Sequence, residues 1–223
     1  MLGKHYGLQA HQYWQPGFTV RKVFMMLFKH VQKTVFLILI FLFLGSASNI
    51  CEGGKLKNPV APDGADPWVT FQDGLYHYCF SDGSRIMVSR APRIQDALNA
   101  RPKVIWQAKP DMPCSDNVWA PELHYLNGRW YVYFAADDGN NDNHRMYVLA
   151  GESADSQGKF SLKGQIAAPT NTWAIDGTVL EHRGQMYFVW SGWEGDTNIE
   201  QNLYIAPMSD PLTISAERVM IST

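Results

Sequence analysis

The sequence predicts an all-β fold assembled from repeated four-stranded sheets, and three observations carry that prediction. A unit recurs at nearly constant spacing, each copy holds a tight-turn signal, and β-branched and aromatic residues flank every turn. The copies begin at Asp66 (DPWVTFQDGLYHY), Ala120 (APELHYLNGRWYV) and Asp176 (DGTVLEHRGQMYF). Their turn glycines, Gly74, Gly128 and Gly184, lie 54 and 56 residues apart. A period of this length belongs to propeller-type arrays rather than to a single sandwich.

Each unit reads as one antiparallel sheet. Asp73-Gly74 and Asn127-Gly128 are two-residue turns that tolerate positive φ at both centres, the strongest short hairpin signal, and Arg183-Gly184 is a weaker version. The first strands are predicted at Trp68–Phe71, Leu123–Leu126 and Thr178–Leu180, and the second at Tyr76–Phe80, Trp130–Phe134 and Met186–Trp190. Third strands follow at Arg85–Ser89, Arg145–Ala150 and Asn202–Ala206, and fourth strands at Val104–Trp106, Phe160–Leu162 and Arg218–Ile221. Four strands in a unit of this size make a propeller blade. Three blades, at roughly 58–110, 111–168 and 169–223, are fewer than closure around a channel requires, so the sequence reads as a partial propeller over 49–223.

Charge is unevenly spread. Residues 1–48 hold Lys4, Arg21, Lys22, Lys29 and Lys33 and no acid, so all 21 acidic residues fall in the remainder. An acidic body excludes nucleic acid as a partner, because phosphate binding needs clustered Lys and Arg. Residues 34–44 read TVFLILIFLFL, preceded by Lys29 and Lys33 and followed by Gly45, Ser46, Ala47 and Ser48. Basic flank, apolar stretch and small residues are the three parts of a secretory signal. As a helix the stretch rises only about 16 Å, short for a bilayer span. Residues 1–48 are therefore expected to direct secretion, with no stable membrane association after cleavage, and Met25 or Met26 would give a leader of ordinary length. Cys51, Cys79 and Cys114 allow at most one internal disulfide.

The repeat lets one position be compared across blades. Eight residues before the turn glycine stand Asp66, Ala120 and Asp176, alternating acid, alanine, acid. An aspartate that served only a local backbone turn should recur in the second blade. Two carboxylates converging on a channel mouth are the elements of acid/base glycoside chemistry. Trp68, Trp119, Trp173 and Trp193 stand beside strand ends, where rings could stack on a sugar; taken singly, core packing also accounts for each. Trp130 and Trp190 fall mid-strand and read as core.

The motifs Ala65-Asp66-Pro67-Trp68-Val69, Trp119-Ala120-Pro121-Glu122-Leu123 and Trp173-Ala174-Ile175-Asp176-Gly177-Thr178 resemble the successive motifs of glycoside hydrolase family 43. Trp190-Ser191-Gly192-Trp193-Glu194-Gly195, with Gln201–Ala206, looks most like its exo-acting α-L-arabinofuranosidases. The resemblance covers about 58–223 and implies a five-bladed propeller that inverts anomeric configuration with three carboxylates. It implies that Asp66 is the general base, that Asp176 tunes and orients the general acid, and that Trp68, Trp119, Trp173, Ser191 and Trp193 contact substrate. The acid it implies is a glutamate in an Asn-Glu-Gly-Pro segment after the third blade; Glu122, Glu181, Glu194 and Glu200 lack that context. The sequence thus reads as a catalytic domain of low activity, truncated before its proton donor. Arabinan, arabinoxylan or derived oligosaccharides are the implied substrates. No cofactor is expected, although the complete family fold often holds an ion in its channel.

Competing patterns are weaker. The loop from Asp137 to Asn143 superficially resembles a calcium site but lacks the required spacing and closing glutamate. The histidines show no zinc spacing, and no nucleophile elbow or phosphate loop occurs. A β-xylosidase of the same family and a non-catalytic carbohydrate-binding propeller are the alternatives. Fructan-cleaving relatives of this fold expect Asn-Asp-Pro-Asn-Gly where this chain has Ala65-Asp66-Pro67-Trp68.

Overall fold

In a computed structural model, residues 58–61 and 64–223 are described. The expected leader at 34–44 and Cys51 lie outside them. Residues Leu56–Thr223 form one compact unit.

The chain lays down three antiparallel sheets in sequence order. The first holds β1 (Trp68–Gln72), β2 (Leu75–Ser81), β3 (Arg85–Ala91) and β4 (Lys103–Gln107), each paired with the next. The second holds β5 (Asp116–Leu126), β6 (Arg129–Asp137), β7 (Arg145–Gly151) and β8 (Phe160–Gln165) in the same up-and-down order. The third holds β9 (Ala174–His182), β10 (Gln185–Gly192) and β11 (Asn202–Asp210). Its fourth strand is split into β12 (Thr213–Ile214) and β13 (Val219–Ser222), which pair with different stretches of β11. These are three blades of a β-propeller. A short helix, α1 (Ile94–Asn99), interrupts the first blade, and nothing in the repeat announced it.

All three hairpin turns have positive φ at both central residues: Asp73 and Gly74, Asn127 and Gly128, Arg183 and Gly184. The mirror-image turn twists the same way as the strands that it joins, which selects it here even with arginine at the first centre.

Two apolar clusters lie between the blades, and the second blade contributes to both. Along β6, Tyr131, Tyr133 and Ala135 face the third blade's cluster, while Trp130, Val132, Phe134 and Ala136 face the first blade's. Strand side chains alternate faces, so a strand buried on both sides reads as a continuous apolar run. Trp130 and Trp190 are core, as expected. Cys79 and Cys114 are both free and fully buried in the cluster between the first and second blades.

Candidate active site

The inner strands of the second and third blades carry the same backbone device. On β9, Asp176 and Gly177 together oppose the single residue Trp190 of β10. On β5, Ala120 and Pro121 oppose Phe134 of β6 in the same way. These are β-bulges, which bend a strand and re-aim a side chain. The leading residue of each is left-handed, Asp176 at φ 53° and Ala120 at φ 43°, and Asp66, at the same repeat position, has φ 47°. Each such residue costs about 1–2 kcal/mol relative to ordinary backbone. Ala120 has no side chain to offset that cost by a local hydrogen bond, yet it takes the same conformation. The blade packing therefore imposes the turn, and the aspartates are not what makes it. Neither aspartate carboxylate has a hydrogen-bond partner among the described residues.

Three blades bring these positions to one place. Asp66, Pro67 and Trp68 from the first blade, Ala120 and Glu122 from the second, and Asp176 from the third line an open depression of about 210 Å³. Asp176 is reached by solvent but crowded by its neighbours. Desolvation raises its pKa above the usual aspartate value, the negative charges of Asp66 and Glu122 raise it further, and His144 opposes them.

Glu122 is a member of this site that the sequence reading assigned to a separate motif. It pairs with Tyr133 just past the bulge at Ala120 and Pro121, and because the bulge breaks simple alternation, no local spacing announced it. Its carboxylate lies 2.9 Å from His124 Nε2. The His124 ring packs 4.9 Å from Trp68 and meets Tyr133 edge-on. Trp68 in turn donates from Nε1 to the Leu123 carbonyl at 2.8 Å, which ties the first blade to the second at the rim.

The aromatic expectations divide. Trp68 lines the depression, and Trp119, adjacent in sequence to Ala120, is 38% exposed. Trp173 and Trp193 are only 4% and 2% exposed and stack on each other, ring centroids 4.8 Å apart and 8° from parallel. Trp173 Nε1 donates to the Asn141 carbonyl at 2.7 Å. Arg218 pins the segment by donating to the carbonyls of Trp193 and Glu194 and lies over the Tyr204 ring. The expectation that Trp173 and Trp193 offer rings to a sugar is corrected: each covers the other, and they brace the start of β9. Ser191 is half-buried on β10, paired with Ile175 and Leu203, and stands outside the depression's lining.

Repeat, blades and converging carboxylates meet in the sequence family described as glycosyl hydrolases family 43, which matches residues 56–223. The chain belongs to that family. This family 43 chain is 31% identical over 172 residues to the extracellular exo-α-(1→5)-L-arabinofuranosidase of Streptomyces chartreusis, covering 75% of the chain and 52% of that protein. It is 36% identical over 163 residues to α-L-arabinofuranosidase 43 of Humicola insolens, covering 71% of the chain and 34% of that protein. The crystal structure of an α-L-arabinofuranosidase from Lactobacillus brevis superposes with a TM-score of 0.69 at 34% identity, over 74% of this chain and 55% of that one. The family 43 chain thus spans about half or less of the curated relatives' length.

Proposed function

We propose that the protein is an inverting α-L-arabinofuranosidase whose water-activating side is built by residues 56–223. The observation that carries the proposal is the convergence of Asp66 and Asp176 on one depression through a strained backbone that Ala120 adopts without an acid. Asp66 takes a proton from the attacking water. Asp176 tunes and orients a proton donor, which inversion requires to stand about 6.5–9.5 Å from the base. Trp68 offers an apolar wall to the sugar, and Glu122, held by His124, adds a third acceptor for hydroxyl groups. Arabinan and arabino-oligosaccharides are the proposed substrates, with arabinoxylan as a second polymer carrying the same sugar. The extracellular relatives and the leader-like 34–44 segment support secretion, with residues 1–48 as the leader that directs export.

An aryl α-L-arabinofuranoside tests this, because a good leaving group needs little protonation and isolates the base. The chain should release the aryl group, NMR should show the inverted anomer first, and Asp66→Asn should slow release by about 10²–10⁴. Unactivated arabino-oligosaccharides should be cleaved far more slowly. Faster release from an aryl β-D-xyloside would replace arabinose by xylose. Sugar binding without any Asp66-dependent turnover would mark a non-catalytic binding propeller.

A further inference from the structure

A buried aspartate–histidine pair is left unused by this chemistry. Asp137, the last residue of β6, and His144 are wholly buried, with Asp137 Oδ2 2.8 Å from His144 Nδ1. Asn117 donates to both oxygens of Asp137 at 3.0 Å, and the Gly139 N–H donates at 2.9 Å. His144 Nε2 faces the Asn117 carbonyl at 3.3 Å. Both ring nitrogens therefore face acceptors, a setting that suits the doubly protonated imidazolium, while burial resists the charge. Such a pair is poor evidence of stabilisation, since apolar residues of the same volume often serve as well.

Its position relates it to the site. The His144 ring stacks on Trp119 at 4.2 Å and 27°. The His144 carbonyl accepts from the Ala174 N–H at 3.3 Å, two residues before Asp176 on β9. One residue therefore touches the exposed indole of the second blade and the strand of the third blade that carries the site carboxylate.

We propose that His144, seated on Asp137, is a positioning residue of the site: it holds the Trp119 ring and, when protonated, supplies a charge that opposes Asp176. The catalytic consequence rests on the arabinofuranosidase reading, whereas the coupling does not. Asp176 is faced by Asp66, Glu122 and His144. His144 is faced by Asp137, Arg145 and the carbonyls of Asn117 and Asn141. Asp176 is raised from 3.8 and His144 is lowered from 6.5, so their titrations approach each other. Coupled sites shift one another by equal free energies.

The experiment is a carboxyl and imidazole NMR titration of the full chain. His144→Gln should raise the Asp176 midpoint, and Asp176→Asn should lower the His144 midpoint by the same amount, on the order of a few tenths of a pH unit. Asp137→Asn should also lower the His144 midpoint. In the unsubstituted chain, indole emission should fall as His144 protonates, and Trp119→Phe should shrink that step to what the Trp173 ring, 6.1 Å from His144, contributes. The Asp176→Asn and Trp119→Phe arms leave the buried pair intact, so the test stands even if His144→Gln fails to fold. An unmoved His144 midpoint in Asp176→Asn, or an emission step undiminished by Trp119→Phe, overturns the proposal. Coupled titration without arabinofuranoside hydrolysis would instead count against the proposed activity alone.

Discussion

Asp176 combines an unfavourable backbone angle with an unfavourable electrostatic setting. Its pKa in the folded chain lies above the unfolded value of 3.8, so folding disfavours its ionised form. That penalty is absent below pH 3.8 and is fully imposed once pH rises past the raised folded value. Asp176→Asn keeps the shape, and asparagine tolerates the left-handed region. It should therefore raise the melting temperature at about pH 7 and leave it unchanged at about pH 3. A lower melting temperature at neutral pH would return Asp176 to the role of a turn residue. The converging carboxylates thus make the site a place where stability is given up, as catalytic centres commonly require.

At the scale of the element, the bulge on β9 is what turns a strand start into a site. Gly177 makes it possible: a Cβ there would meet the Phe188 ring and come within 2.7 Å of Met146 Cε. Phe188 is fully buried and has no room to retreat. Gly177→Ala should cost about 1–3 kcal/mol in urea unfolding, the range for overpacking a core. It should also move Asp176, because the added methyl pushes the bulge away from β10. A substitution that left both stability and the Asp176 carboxyl signal unchanged would show that the bulge does not depend on this close approach.

At the scale of the molecule, the second blade packs against a neighbouring blade on both faces, whereas among the described residues the first and third each meet one such neighbour. Val219 and Ile221 on β13 are 61% and 51% exposed. The core between the first and second blades contains both described cysteines, with burial pushing Cys114 up to about 11 and Cys79 higher still. With both thiols free, adding reductant should leave the melting curve unchanged. Folding should not require either sulfur, but the form of the substitution matters. Serine at either position buries a hydroxyl, at about 1–3 kcal/mol, so the double Cys→Ala chain should melt above the double Cys→Ser chain. Equal melting of the two would mean that these sites admit water.

Local chemistry made most of the architecture legible. Asp73-Gly74 and Asn127-Gly128 announce their hairpins because few residue pairs accept positive φ twice, and the recurrence of these turns announces the blades. The same repeat singled out Asp66 and Asp176 by showing alanine between them. Tertiary structure alone decided which aromatic rings are free. Trp119 and Trp173 are both strand-end tryptophans in sequence, yet one is exposed against His144 and the other is sealed against Trp193. A ring's availability depends on which distant side chain folds over it, and no local pattern carries that information. The same holds for Glu122 and for the Asp137–His144 pair, whose distances to the site are set by how three sheets pack together. Sequence by itself determined the strands, the turns and the two acids; the packing of the blades decided which of their neighbours those acids meet.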